Sequence, residues 1–517
     1  MSNASIDLGA GNDVLTFGAF ANSATVANTE TVTGGSGADT VTLGSALTNA
    51  MSVDLGGGSN KGSNKLTLAN VANTGTVSNV QSLVGGTAAD TVTLGTAIAN
   101  GSIDLGAGND VLTFANAANS ATVANTETIT GGTGADTITL GAAVSNASID
   151  LGAGNDVLTF GNFANTASVC NTETIVGGSV ADSVTLGTAL TAAMSVDLGA
   201  GANTLTLANG VNTGTVKNVG TLIGGTGADT ITLGTAIANG SIDLGAGNDV
   251  LTFGNFANSA TVANTETITG GTGNDTVTLG GTLTAAMSVN LGGGSNKLTL
   301  ANVANTGTVN NVQTMIGGSG ADTVTWGTAL VNGNVDLGAG SDVLQLANFT
   351  NLVSVANTET TFGGSGNDTV ILTGSNASMV VGGAGMNFIT GNSAADQFVL
   401  DQNSAGNYST DLNFSTAKGD KIALDTTGSA ILATNTYDLG GAALVDGTNL
   451  KAVADAATRL TINEATGGKG GLVYQQNTGE LYYSSNGSFA GGGTLIGVID
   501  SSSNVPWTYN ANSFTQV

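Results

Sequence analysis

Histidine is absent from this chain and cysteine occurs once, at Cys170, so the usual nitrogen and sulfur sites for zinc, copper and iron cannot be built. One thiol also excludes a disulfide within the chain. Proline occurs once, at Pro506, as suits stacked strands in which every backbone amide needs a partner. Aromatic residues make up 4 % of the sequence, so the expected core is narrow and filled by Val, Ile, Leu and Ala. Positive charge is scarce: nine Lys and Arg stand against 36 Asp and Glu, for a net charge of −27, a sign that repels nucleic acid. No apolar stretch reaches the roughly 18 residues of a membrane span. The opening MSNASIDLG lacks the basic-then-apolar pattern of a secretory signal. Catalysis has little to work with, because the single Arg459 lies near the C-terminus and no acid stands out from a repetitive background. A carboxylate-only polysaccharide-degrading enzyme is the third reading, behind two structural ones.

What the chain has in abundance is glycine, 81 residues of 517, together with Thr, Asn and Ser, a mixture that breaks helices and favours turns joined by short strands. The glycines are ordered. Fourteen aspartates end near-identical glycine-rich turns: Asp13, Asp39, Asp90, Asp110, Asp136, Asp156, Asp182, Asp229, Asp249, Asp275, Asp322, Asp342, Asp368 and Asp396. Asn60, Asn203, Asn296 and Asn387 occupy four further slots, and the KGSN insertion at Lys61 to Asn64 duplicates its neighbours. Spacing alternates between 26 and 20 or 21 residues, so the repeat is 46 or 47 residues long with two turns.

A period of this size marks a solenoid whose coils contact only their neighbours. The second and fourth residues after each turn Asp are apolar, as at Leu15 and Phe17, Val41 and Leu43, or Ile138 and Leu140, and the residue between them is Thr, as at Thr16, Thr42, Thr93, Thr139 and Thr232. That is the period of a strand with one buried face and an outward β-branched row. One coil per turn predicts about 18 coils and an elongated parallel β-solenoid on the order of 85 Å long.

Twenty-one of the acids fall at two repeat positions, the fourteen turn aspartates and the strand aspartates Asp7, Asp54, Asp104, Asp150, Asp197, Asp243 and Asp336. Stacking in successive coils would place like charges about 5 Å apart, at a cost on the order of 1 kcal/mol per pair even in water. A cation between them is expected. Carboxylates and glycine-turn carbonyls are hard oxygen ligands, which suit calcium better than the small octahedral shell of magnesium. One such turn alone is equally a plain Asx-stabilised surface turn; a register of eighteen points to metal.

GGSGADTVT at Gly34 to Thr42, GGTGADTIT at Gly131 to Thr139, GGTGNDTVT at Gly270 to Thr278 and GGSGNDTVI at Gly363 to Ile371 match the nonapeptide G-G-x-G-x-D-x-U-x. The chain thus resembles the RTX (repeats-in-toxin) calcium-binding group over roughly Ser5 to Leu400. The resemblance implies a parallel β-roll with calcium between adjacent turns, and as ligands the turn aspartates from Asp13 to Asp396. Only Asn387 and Asp396 stand nine residues apart as in tandem nonapeptides; Asn387 is counted with the candidate ligands. Elsewhere one turn per coil predicts calcium along one edge and ordinary loops along the other, with weaker binding at the Asn slots.

Further rows recur. Asn28, Asn79, Asn125, Asn171, Asn218, Asn264, Asn311 and Asn357 hold one place in all eight repeats and are expected to form an inward stacked row. Glu30, Glu127, Glu173, Glu266 and Glu359 follow two residues later, replaced elsewhere by Gln81, Gln313 and Gly220, a tolerance that reads as a solvated face. Cys170 replaces an Ala and reads as a small core residue. The outward Thr rows are accounted for by strand propensity rather than by ice binding.

Past Leu400 the period stops, and all six tyrosines and the proline fall there. The expected division is a solenoid at 1–400 and a small, mainly β C-terminal domain at 401–517. In it GGLVYQQ and ELYYSS flank an NTG turn, and LKAVADAATRL at Leu450 to Leu460 reads as a helix. FVLDQ at Phe398, FSTAKGDKIAL at Phe414 and LVYQQNTGELYYSSNG at Leu472 resemble the C-terminal segment of RTX proteins exported by type I secretion, which implies an uncleaved export signal. SNASIDLG at Ser2 recurs at Ser145, so the array starts in mid-repeat and its first coil is expected to be covered by a second copy. The expectation is a non-enzymatic, secreted calcium-binding protein, extracellular or on the cell surface, that folds on export and self-assembles head to tail into a filament or surface layer. The alternative is a monomeric adhesin or biofilm-matrix protein that binds cell-surface glycans.

Overall fold

A computed structural model describes residues 1–57 and 63–400, and beyond them residues 409–413, 420–424, 450–453, 471–475, 480–484, 494–500 and 514–516. The fold is an all-β parallel β-solenoid of about 20 turns, without a helix among the described residues. Two units compose it, residues 1–254 with 263–265 and residues 255–262 with 266–517.

In the first unit each coil crosses two sheets. Ala4–Asp7 pairs in parallel with Ser23–Ala27, which pairs with Thr40–Leu43. The intervening strands Val14–Thr16 and Thr31–Thr33 pair with each other, and the latter with Ser52–Asp54, in the second sheet. The step between neighbouring strands is 17 residues from Ser120 to Thr137, 20 from Thr137 to Val157 and 21 from Thr174 to Ser195. The sequence repeat therefore holds five strands, or two and a half coils. Accordingly the SIDL or SVD strand lies in the first sheet at Gly101–Gly106, the second at Ala147–Gly152, the first at Ser195–Asp197 and the second at Gly240–Gly245. The half-coil remainder carries every repeated feature to the opposite edge.

Alternating burial follows the expected pattern. Val41, Leu43, Ile138 and Leu140 are buried while Thr42 and Thr139 between them are half-exposed. Each such apolar side chain stabilises its coil by roughly 1.5–3 kcal/mol relative to exposure. Leu15, in the first coil, is only half-buried. In the second unit Trp326 fills the place of a Leu and donates its indole N–H to the Val312 carbonyl at 3.1 Å.

Parallel pairing runs past residue 400: Ser409–Asn413 joins Phe388–Thr390, and Lys421–Leu424 joins Gln397–Leu400. Gly471–Gln475 and Glu480–Ser484 pair antiparallel, as expected of strands flanking NTG. The helix expected at Leu450 is absent over the described part, since Leu450–Val453 is a strand paired in parallel with Gly471–Gln475. Pairing on an open strand outweighs the weak helix preference of four residues; residues 454–460, like FSTAKG at Phe414, lie outside the described residues.

Candidate metal centre

Every turn aspartate directly precedes a strand, and all but Asp13 are buried, at most 2 % exposed. In the first unit Asp39, Asp136, Asp156, Asp229 and Asp249 lead into one sheet. Asp13, Asp90, Asp110 and Asp182 lead into the other. In the second unit Asp322, Asp342 and Asp396 serve one sheet, Asp275 and Asp368 the other. The expectation of a single calcium edge is thereby corrected. A step of 20 residues stacks two turns on one edge, whereas a step of 26 crosses to the other, so turns come in stacked pairs on alternate edges.

Each pair belongs to a hydrogen-bonded ladder of four rungs. Asn119 donates its backbone N–H and its Nδ2–H to Asp136 Oδ1, at 2.9 and 2.8 Å. The Asp136 N–H donates to Asp156 Oδ1 at 2.7 Å, and the Asp156 N–H to Glu173 Oε2 at 2.9 Å. Asn73, Asp90, Asp110 and Glu127 repeat this on the opposite edge, and Asn305, Asp322, Asp342 and Glu359 repeat it in the second unit. The first rung was not foreseen, although its signal is plain: Asn22, Asn73, Asn119, Asn165, Asn212, Asn258, Asn305 and Asn351 each stand seventeen residues before a turn Asp. Asn119 also donates to the Ala115 and Ala117 carbonyls and accepts the Ile98 N–H, which knits the turn.

Several expected rows change meaning. The Glu slots are not a solvated face; they are half-buried acceptors for the backbone of the preceding coil. The Asn28 row does not stack inward. Its members adopt left-handed backbone, with φ of 50° at Asn28 and 47° at Asn171, tolerated by Asn. Their Nδ2 groups donate to strand aspartates, Asn28 to Asp7 at 2.8 Å and Asn171 to Asp150 at 2.8 Å, except that Asn311 donates to Asn290. Those strand aspartates are five strands apart in alternate sheets, so they are not a stack of like charges. Cys170 is half-exposed at a strand end beside Gly187 rather than in the core; burial and then the Asp150 charge push its thiol up.

Four ladders carry Asn in place of the second aspartate. Asn60 lies outside the described residues, and Asn64 fills that rung, accepting the Asp39 N–H at 2.9 Å. Its Nδ2 donates to the Leu55 and Asn79 carbonyls. Asn203 likewise donates to the carbonyls of Leu198, Gly199 and Asn218, at 3.0, 3.1 and 2.9 Å. Asn296 does the same with Leu291, Gly292 and Asn311. Asn387, a candidate ligand, accepts the Asp368 N–H and donates to the Gly383 carbonyl.

The aspartates lack that amide hydrogen. Oδ2 of Asp13, Asp90, Asp110, Asp136, Asp156, Asp229, Asp275, Asp322, Asp342 and Asp368 is buried without a hydrogen-bond partner, a costly state for an anionic oxygen. Burial, with the Asp90, Glu127 and Asp104 charges, pushes Asp110 up to about 6. Asp342, beside Glu359, Asp322 and Asp336, is raised to about 6 by the same causes, and Asp368 to about 6 mainly by burial. Burial raises Asp136 and Asp156 as well.

The donor set fits a hard cation. Gly131 leaves a cradle that a Cβ would fill, in contact with the Leu151 carbonyl and 2.6 Å from Asp136 Oδ2. Gly85 does so with the Leu105 carbonyl and with Asp90 Oδ2 at 2.7 Å. No three His, Cys, Asp or Glu converge among the described residues, so carbonyls must supply most ligands, as calcium accepts. Bound there, calcium supplies the positive charge that these oxygens lack.

Residues 27–45, 123–143 and 262–281 match the family model described as the RTX calcium-binding nonapeptide repeat (4 copies). These segments contain Asp39, Asp136 and Asp275. Comparison with curated proteins and with solved structures gives no match. The matched repeats, set in a parallel β-solenoid with orphaned turn carboxylates, support an RTX β-roll protein and indicate multiple calcium ions.

Proposed function

We propose that the chain is a secreted structural protein that stays open where calcium is scarce, folds on export and self-assembles into an extracellular filament or surface layer. RTX-repeat proteins are typically secreted and non-enzymatic. The observation that carries the reading is the set of buried turn oxygens without a donor. At low calcium they oppose closure of the coils; at millimolar external calcium they are bridged, and metal binding becomes folding free energy. Residues 401–517 serve in this reading as the capping, assembly and type I export region.

Self-assembly draws support from one exposed repeat position. Two residues before six of the eight buried ladder Asn stand Phe20 (81 % exposed), Val71 and Phe163 in the first unit, and Phe256, Val303 and Phe349 in the second, with Ala117 and Gly210 in the other two slots. Apolar side chains held out at regular intervals are suited to contact between copies. The test is negative-stain microscopy of wild type and V71S/F163S/F349S, with calcium and with chelator. Ordered polymers from wild type in calcium alone, lost in the variant while its β content remains, are expected. Wild type that stays monomeric in concentrated, calcium-replete sedimentation runs would sink the idea.

The alternative, a monomeric glycan-binding adhesin, is favoured by a groove of about 710 Å³ in the first unit lined by Thr96, Asn116, Asp150 and Asn171. Saturable binding of polysaccharide by non-polymerising protein would decide for it.

A further inference from the structure

The third and fourth rungs of the ladder change charge together. Where the third rung is Asp13, Asp110, Asp156, Asp249 or Asp342, the residue seventeen places on is Glu30, Glu127, Glu173, Glu266 or Glu359. Where the third rung is Asn64, Asn203 or Asn296, it is Gln81, Gly220 or Gln313. Hydrogen bonding does not require this matching. Gln313 Oε1 accepts the Asn296 N–H at 2.7 Å, as Glu127 Oε2 accepts the Asp110 N–H at 2.8 Å. Asn203 Oδ1 accepts the Asp182 N–H as well as Asp110 Oδ1 accepts that of Asp90. A neutral rung can therefore do all the backbone work of a charged one. Two like charges one coil apart repel, yet they are kept or dropped as a pair.

The neutral rungs show what the charged ones need. Nδ2 of Asn203 and Asn296 reaches three carbonyls in common, those of the Leu five residues before, the Gly four before and the left-handed Asn fifteen after, and that of Asn296 also reaches the Gly293 carbonyl. Asp110, Asp156 and Asp342 have the same three residues at those offsets: Leu105, Gly106 and Asn125; Leu151, Gly152 and Asn171; Leu337, Gly338 and Asn357. All three aspartates are 0 % exposed, with Oδ2 lacking any partner. An oxygen stands there in place of an NH2 group, on a backbone that presents carbonyls.

We propose that each Asp–Glu rung is a divalent-cation site of the calcium class with two carboxylates, formed by the Asp, the Glu one coil on and the three carbonyls. In the Asn rungs the Nδ2 group takes the cation's place, and no ion binds. The glutamate lies outside the nonapeptide G-G-x-G-x-D-x-U-x, and Asp110, Asp156 and Asp342 lie outside the segments that match the family model. The inference rests on the calcium-binding reading above and deepens it, since it assigns ligands and metal-free coils.

The experiment counts calcium by equilibrium dialysis on the full chain, supported by calorimetric titration. In E127Q/E173Q/E359Q each Gln keeps the backbone bond, as Gln313 does, so the β content in calcium is expected to persist while about three ions are lost. In N296D/Q313E one ion is expected to be gained. Wild-type stoichiometry and affinity in the folded triple variant would overturn the proposal. Should the triple variant fail to fold, N296D/Q313E decides alone, and no gain there overturns it. Wild type that binds no calcium would refute the broader reading; a wild type that binds while the Glu variants lose nothing refutes only this one.

Discussion

Replacing Asp110 by Asn reverses the sign of its effect with calcium. Without the ion, the Asp110 carboxylate is buried, its Oδ2 has no partner, and its pKa is raised from 3.8 to about 6. A carboxyl whose folded pKa lies above its unfolded value contributes stability below about pH 4 that is lost as pH rises through 6. At pH 7.5 the ionised group therefore costs roughly 3 kcal/mol, at about 1.4 kcal/mol per pKa unit. The D110N variant removes that cost and presents an Nδ2 group to the carbonyls of Leu105, Gly106 and Asn125, as Asn203 does to its own. In chelator at pH 7.5 the variant should be more stable by roughly 2–4 kcal/mol, and by little at pH 4. In calcium at about ten thousand times its dissociation constant, the wild type gains about 5.5 kcal/mol that the variant cannot, which leaves the variant less stable by roughly 1.5–3.5 kcal/mol. The assay is hydrogen exchange of the Asp90 amide, which donates to Asp110 Oδ1, because solenoid stability is local. Slower exchange in chelator and faster exchange in calcium, relative to wild type, are expected. Slower or faster exchange under both conditions would refute the reasoning.

Asn119→Ala leaves the Ile98 amide and Asp136 Oδ1 short of partners and frees two turn carbonyls; a loss of about 3–5 kcal/mol is expected, read as protease cleavage near residue 117 that wild type resists. Gly131→Ala places a Cβ against the Leu151 carbonyl and 2.6 Å from Asp136 Oδ2, whereas Gly18→Ala meets nothing within 4 Å. The first should weaken calcium binding and the second leave it unchanged in the same titration. The raised carboxyls of Asp110, Asp342 and Asp368 should make chelated protein more resistant to urea at pH 5 than at pH 7.5, with the difference shrinking in calcium.

The strand pattern was legible because burial with period two is written directly in pairs such as Val41 and Leu43. The edges were not. Ser23–Ala27 and Thr31–Thr33 lie between successive turns and carry no turn Asp, so a count of turns misses the half coil that they add. Only strand pairing reveals that Asp110 stacks on Asp90 while Asp136 faces the other way. The Glu row was misread for a related reason: Gln81, Gln313 and Gly220 look like tolerance until each is set beside its own third rung. The buried Asn row was visible as a seventeen-residue offset, but an amide's role depends on which backbone groups the coil brings to it.

Far-UV circular dichroism of the whole chain at pH 7.5, titrated with calcium from a chelated start, tests the central claim most directly. The orphaned carboxylates of the ladder predict that solenoid β content is reduced in chelator and rises cooperatively with calcium. The same β content with and without the ion would contradict it.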